Sequence, residues 1–137
     1  MLKFRIEHDS LGEKQIPEAV YYGIQTQRAV ENFEVSGLSL DKYVDIVWAI
    51  ASIKKAAALA NYRCGAIDKE LCGAICKAAQ EVMDGKMRGQ FPIDIFQGGG
   101  GTSANMNVNE VIANRANEIL TGKKGYLQKV MQGAGKK

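Results

Sequence analysis

Histidine is nearly absent from this sequence, cysteine is scarce, and neither charge of one sign nor apolar character is gathered into a long run. The single histidine, His8, stands in a polar N-terminal stretch far from the three cysteines, Cys64, Cys72 and Cys76. A structural zinc site wants four ligands, usually in tightly spaced pairs, so no metal site is expected and His8 reads as a surface or locally bonded side chain. An odd number of cysteines without a secretory signal argues for reduced thiols, expected as small buried groups in a helical core. No apolar run approaches the length of a membrane span, and the N-terminus alternates charged with apolar residues instead of building a signal peptide's apolar region. A cytoplasmic protein without a membrane partner is expected. Lys and Arg number 18 against 15 Asp and Glu, a net charge of +3. With the two signs interspersed, there is no basic stripe for nucleic acid.

What remains is an ordinary globular composition. The chain has 137 residues, 46% of them hydrophobic and 24% charged, the size and balance of one soluble domain. Leu2 to Ile6 alternate apolar with charged residues and Ser10-Leu11-Gly12 supplies a turn, which predicts a short, half-exposed strand or hairpin. Ile24, Arg28, Ala29 and Val30 fit a short helix running to Ser36-Gly37. Ser39 reads as the N-cap of a longer helix on which Tyr43, Ile46, Val47, Ile50, Ile53, Ala57 and Ala60 recur at helical spacing, closing at Gly65. Val44 and Trp48 widen its apolar face and predict burial on more than one side. Asp68 caps a second long helix carrying Leu71, Ile75, Ala78, Ala79, Val82 and Met83 and ending at Gly85, so the two should form a helical hairpin. Gly89 and Pro92 break the next stretch into an extended connector as far as Gln97. A last helical pattern runs from Thr102-Ser103 to Gly122.

The informative stretch is Gln97 to Ala116, QGGGGTSANMNVNEVIANRA, because a glycine run stands directly before two hydroxyl residues at a helix start. Glycines permit positive backbone dihedrals and close approach of a ligand, and the first helical turn offers unpaired N–H groups at the positive end of the helix dipole. A Walker loop would need lysine before its Ser/Thr, where Gly101 stands before Thr102. A dinucleotide fingerprint would need glycine where Ser103 stands, and a parallel sheet that the helical pattern does not supply. A carboxylate remains the natural small anion, against the plainer reading of a helix start after a flexible turn. Asn105, Asn107, Asn109, Asn114 and Asn117 are poor helix formers. They make either an amide-rich wall near a polar site or a set of capping and interhelical hydrogen bonds.

The glycine loop followed by Asn105-Met106-Asn107, Asn109-Glu110 and Ala113-Asn114 resembles the first signature region of the aspartase/fumarase superfamily. Arg5 to Glu13 (RIEHDSLGE), Tyr21-Tyr22-Gly23 and Gln25 to Phe33 (QTQRAVENF) look like the opening of the same enzymes. The likeness covers nearly all of Arg5 to Lys129. Within the superfamily Gly98-Gly99 and Thr102-Ser103 look more like the aspartate ammonia-lyases than the fumarases. The resemblance implies a mainly α fold, the N-terminal domain of the L-aspartase-like fold with a short N-terminal strand or hairpin. It implies a lyase domain over residues 1–130 and an unmatched, disordered tail over 131–137. Past Val130 the family's Asn-Pro-Asn-Asp type run is replaced by Met131-Gln132-Gly133-Ala134-Gly135-Lys136-Lys137.

The activity implied is reversible deamination of L-aspartate to fumarate and ammonia, by a homotetramer that uses no organic cofactor. Thr102 matches the family threonine that donates to the substrate's β-carboxylate, and Gly100 and Gly101 match the adjacent loop whose backbone approaches the substrate. The family's catalytic serine base, its Thr-His pair and its mobile loop lie downstream of this segment, so no catalytic residue is assigned here and the isolated chain is expected to be inactive. Arg28 matches a family arginine near the substrate region but reads equally as an exposed helix arginine. Two rival readings are a fumarase, which uses the same carboxylate loop, and a non-enzymatic helical interaction module.

Overall fold

The structure, a computed structural model, describes residues 1–125. The expected tail over 131–137 and the expected end of the lyase segment at residue 130 lie outside the described residues. The elements are a two-stranded antiparallel hairpin, β1 (Phe4–Asp9) and β2 (Gly12–Pro17), then helices α1 (Ile24–Asn32), α2 (Val44–Arg63), α3 (Lys69–Met83) and α4 (Thr102–Thr121). The mainly helical fold with a short N-terminal hairpin is as the sequence implies.

The hairpin turns the expected alternation inside out. Phe4 and Ile6 are exposed, whereas Arg5 and Glu7 point inward. The Arg5 guanidinium makes the inward face viable by donating to the carbonyls of Pro17, Val20 and Tyr22 at 2.9, 2.9 and 2.7 Å and to Glu7 at 2.8 Å. A buried charge that is paired and fully hydrogen-bonded can occupy a position that periodicity assigns to a hydrophobe.

Helix α1 stops at Asn32, short of the expected Ser36-Gly37. Ser39 caps no α-helix either: a 3-10 turn, Leu40–Lys42, follows it without a side-chain cap, and α2 begins at Val44. The competing interaction is the connector, since the Leu40 and Asp41 N–H groups donate to the carbonyls of Ile93 and Phe91 at 2.8 and 3.0 Å. Backbone groups that pair across loops cannot also join a helix.

Helices α2 and α3 form the expected hairpin. Gly65, at φ +74°, ends α2 with Gly65 N–H on Tyr62 O and Ala66 N–H on Asn61 O, the Schellman pattern. Asp68 caps α3 by accepting from Leu71 N–H at 2.8 Å. Val47, Ala51 and Ala58 of α2 are buried with Leu71, Ala74, Ala78 and Val82 of α3 in one core cluster. Helix α2 meets α3 and, around Lys54, also α4, and the rest of its surface is open among the described residues. Trp48 is 51% and Val44 47% exposed, so the expectation of burial on several sides fails. The reason is topological: among the described residues no helix packs on the outer face of α2. Helix α4 is the centrepiece, with Val108, Val111 and Ala116 fully buried and Arg115 forked onto Glu81 of α3 at 2.6 and 3.1 Å.

Candidate functional site: the glycine loop and the head of α4

Gly99 (φ +70°) and Gly101 (φ +90°) take left-handed backbone that side chains resist. Gly98 lies against the Phe33 ring, where an added Cβ would sit 3.4 Å away. Gly100 differs from all three: its φ is not positive, and an added Cβ would meet nothing within 4 Å. Neither dihedral nor packing within the described residues requires glycine there.

Helix α4 begins at Thr102 with no side-chain cap at Gly101. The side-chain oxygen of Gln97 accepts from Ala104 N–H at 2.6 Å, and Asn105 N–H returns to Gly101 O at 3.0 Å. That leaves the N–H groups of Thr102 and Ser103 at the head of a 20-residue helix with no acceptor among the described residues. The Thr102 side chain is exposed beside them. Lys54 of α2 brings a cation to the same turn, its ammonium donating to Asn105 Oδ1 at 2.6 Å. Amides, a hydroxyl, a helix dipole and an ammonium together favour an anion.

Asp94 holds the approach to the loop. Its carboxylate accepts from the N–H groups of Val35, Ser36, Gly37 and Phe96 at 3.2, 2.6, 3.0 and 2.8 Å and from the Ser36 hydroxyl at 2.8 Å. Burial opposes ionisation, but the amide and hydroxyl donors outweigh it and hold the carboxyl far below the usual range. One side chain thus ties the segment after α1 to the residues just ahead of Gln97.

A second carboxylate cluster anchors α1 to α4. Glu110 accepts from the N–H groups of Gly23, Gln25 and Thr26 at 2.9, 2.8 and 3.0 Å and from the Thr26 hydroxyl at 2.6 Å, and Glu7 accepts from Ile24 N–H at 2.9 Å. Burial pushes the Glu110 carboxyl above its ordinary value, against the pull of those donors. The glycine at position 23 is demanded by this closeness: a Cβ there would lie 2.6 Å from Glu7 Oε2 and 3.0 Å from Glu110.

Gly100, Gly101 and Thr102 therefore come together at one exposed helix head. Arg28 goes elsewhere, gripping Asp9 at 2.7 and 2.8 Å and pinning the hairpin to α1. The asparagines divide: Asn107 and Asn114 are fully buried and donate to the carbonyls of Gln90 and Tyr21 at 2.9 and 2.7 Å, while Asn105 receives Lys54 at the loop. His8 is exposed beside Glu13, and of the cysteines only Cys72 is buried, Cys64 being exposed. Lys54, Asp94 and Glu110 were missed as contributors. A charged residue among apolar ones on a helix, as Glu110 is with Val108, Val111 and Ile112 within two positions, was the available signal for the last. A cavity of about 460 Å³ lies between α1, α2 and α4, but none of Gly98 to Thr102 lines it. No helix of the described residues is long and apolar enough to cross a membrane.

A family model described as lyase matches residues 12–134. An aspartate ammonia-lyase from Bacillus sp is 51% identical over 126 residues, 92% of this chain and 26% of that protein. A class II fumarate hydratase from Halobacterium salinarum is 54% identical over 117 residues, 85% of this chain and 24% of that protein. The crystal structure of a fumarate lyase:delta crystallin from Brucella melitensis superposes with a TM-score of 0.89 at 50% identity, covering 92% of this chain and 28% of that one. The chain thus spans about a quarter of the length of the curated relatives it matches. With a family match over most of its length and aspartate ammonia-lyases and fumarate hydratases alike at about half identity, this chain belongs to the lyase family of the aspartase/fumarase superfamily.

Proposed function

We propose that this chain supplies the β-carboxylate cradle of an aspartate ammonia-lyase, with Gly100, Gly101 and Thr102 binding the substrate and the catalytic base supplied from outside this segment. In that reaction a proton leaves the β-carbon of L-aspartate, negative charge spreads onto the β-carboxylate, and ammonia departs to give fumarate. Donors aimed at that carboxylate stabilise the transition state more than the ground state, which is the form of binding that accelerates a reaction. The Thr102 hydroxyl and the amides at the head of α4 are the donors, and the bare backbone at Gly100 lets the carboxylate approach them. No organic cofactor or metal enters this scheme, and the full enzyme is a homotetramer.

The observation that carries the reading is Gly100, which among the described residues has no conformational or packing need to be glycine, beside two amides that have no acceptor there. The fumarate hydratase at 54% identity favours a second reading, in which water takes the place of ammonia at the same cradle. Complementation separates the two: the chain is co-expressed with an aspartate ammonia-lyase lacking the matching segment, and fumarate formation is followed from L-aspartate and from malate. Activity on aspartate alone supports the proposal, and activity on malate alone replaces it with the fumarase. No activity on either, from an assembled complex, removes the cradle from catalysis. The isolated chain should form no fumarate from either.

A further inference from the structure

Cys72 and Cys76 stand one turn apart on the face of α3 that meets α2, their sulfurs 3.9 Å apart. Cys72 Sγ faces Ala58 O at 3.5 Å and Cys76 Sγ faces Lys55 O at 3.9 Å, so both thiols point into the same seam. Cys72 is buried and Cys76 half-buried, which leaves solvent access from one side. The Lys55 ammonium, held by Gln80 Oε1 at 2.7 Å one turn further along α3, places a positive charge beside the pair.

A disulfide does not fit this spacing. Residues four apart on a helix hold their Cβ atoms about 5–6 Å apart, wider than the roughly 3.5–4.5 Å that a disulfide tolerates. A single bridging atom fits it well. Two metal–sulfur bonds of about 2.3 Å meeting near the tetrahedral angle set the sulfurs about 3.8 Å apart. Soft thiolates select soft ions, and two protein ligands leave the remaining positions to solvent on the Cys76 side.

We propose that Cys72 and Cys76 form a two-thiolate site for a soft divalent d10 cation in the seam between α2 and α3. The cation bonds to both sulfurs, each thiol gives up its proton, and two protons are released per ion with no change of oxidation state. Because each thiol must shed its proton to bind, affinity climbs with pH.

The test is anaerobic titration of the reduced 137-residue chain with Cd²⁺, reading sulfur-to-cadmium charge-transfer absorbance and proton release together. One ion per chain, two protons per ion and affinity rising by about 100-fold per pH unit below the thiol pKa values are expected. Cys64→Ser, at the exposed thiol outside the seam, should bind as the parent does, while Cys76→Ser should lose at least about 100-fold. Cys76 is the informative position because its half-buried side chain tolerates serine; unchanged helical circular dichroism checks that the fold persists. Binding kept within about threefold by Cys76→Ser, binding lost with Cys64→Ser, or one proton per ion would each overturn the site.

Discussion

The Glu110 carboxylate and the Thr26 hydroxyl meet at 2.6 Å inside the protein, and through this contact the middle of α4 holds the first turn of α1. The same carboxylate also takes three backbone N–H groups, so it serves as a helix cap delivered from 84 or more residues away. Glu110→Gln keeps the shape but turns an amide NH₂ toward donors that need an acceptor. Since charge-assisted hydrogen bonds to a buried group are involved, a loss of about 2 kcal/mol is expected in urea unfolding of the chain. Stability unchanged by the substitution would mean that the cap contributes nothing.

Gly23→Ala attacks the same junction from the other side. Its Cβ would be driven against Glu7 Oε2 and Glu110, with no flexible chain end free to yield because both carboxylates are held by α1. Overpacking of this kind costs about 1–3 kcal/mol, and the midpoint of urea unfolding should fall accordingly. Wild-type stability would show that the two carboxylates move apart freely.

Asp94 gives the chain an acid-sensitive clasp. Its folded pKa lies well below the unfolded value of about 3.9, so the folded state binds fewer protons than the unfolded one in between. The stability it contributes is therefore complete above about pH 4 and is lost as pH falls below that. Asp94→Asn should lower stability at neutral pH and flatten the decline on the acid side. Parallel curves of unfolding free energy against pH for the two proteins would exclude Asp94 as a source of acid sensitivity.

The sequence disclosed what depends on local periodicity and end signals. The α2–α3 hairpin, Gly65 and Asp68 as punctuation, and the start of α4 at Thr102 all follow from nearest neighbours along the chain. It concealed what depends on partners far away. Arg5 and Glu7 occupy the inner face of a strand because carbonyls and amides from residues 17–24 arrive to meet them, and Ser39 loses its helix because Phe91 and Ile93 claim the neighbouring amides. Trp48 and Val44 read as core because a periodic pattern shows which faces are apolar but not which of them receives a neighbour. The glycine turn at the head of α4 was legible from its composition, whereas the cation that Lys54 brings to it required the fold.

Gly100 and Gly101 make a paired test of the cradle. Gly101→Ala must strain a left-handed residue and should cost about 1–2 kcal/mol of stability. Gly100→Ala should leave urea unfolding unchanged, since its Cβ enters open space. In the complemented enzyme Gly100→Ala should still depress turnover, and Thr102→Ala should lower it by about 10²–10³, the usual loss for one donor at a developing oxyanion. Full activity in both Gly100→Ala and Thr102→Ala would take the loop out of the reaction.

The outer face of α2 predicts how the chain behaves by itself. Val44, Trp48 and Leu59 are exposed and lie within about 60° of one another around α2, an apolar stripe that marks an interaction surface or an aggregation site. Burying such side chains against a second copy recovers roughly 1.5–3 kcal/mol each, enough for association at moderate concentration. Sedimentation velocity of the isolated chain should show concentration-dependent self-association, and Trp48→Glu with Leu59→Lys should return it to monomer. Because both side chains face solvent, the double variant should keep its unfolding free energy within about 0.5 kcal/mol per site. A parent chain that stays monomeric at high concentration would show that the face needs no cover.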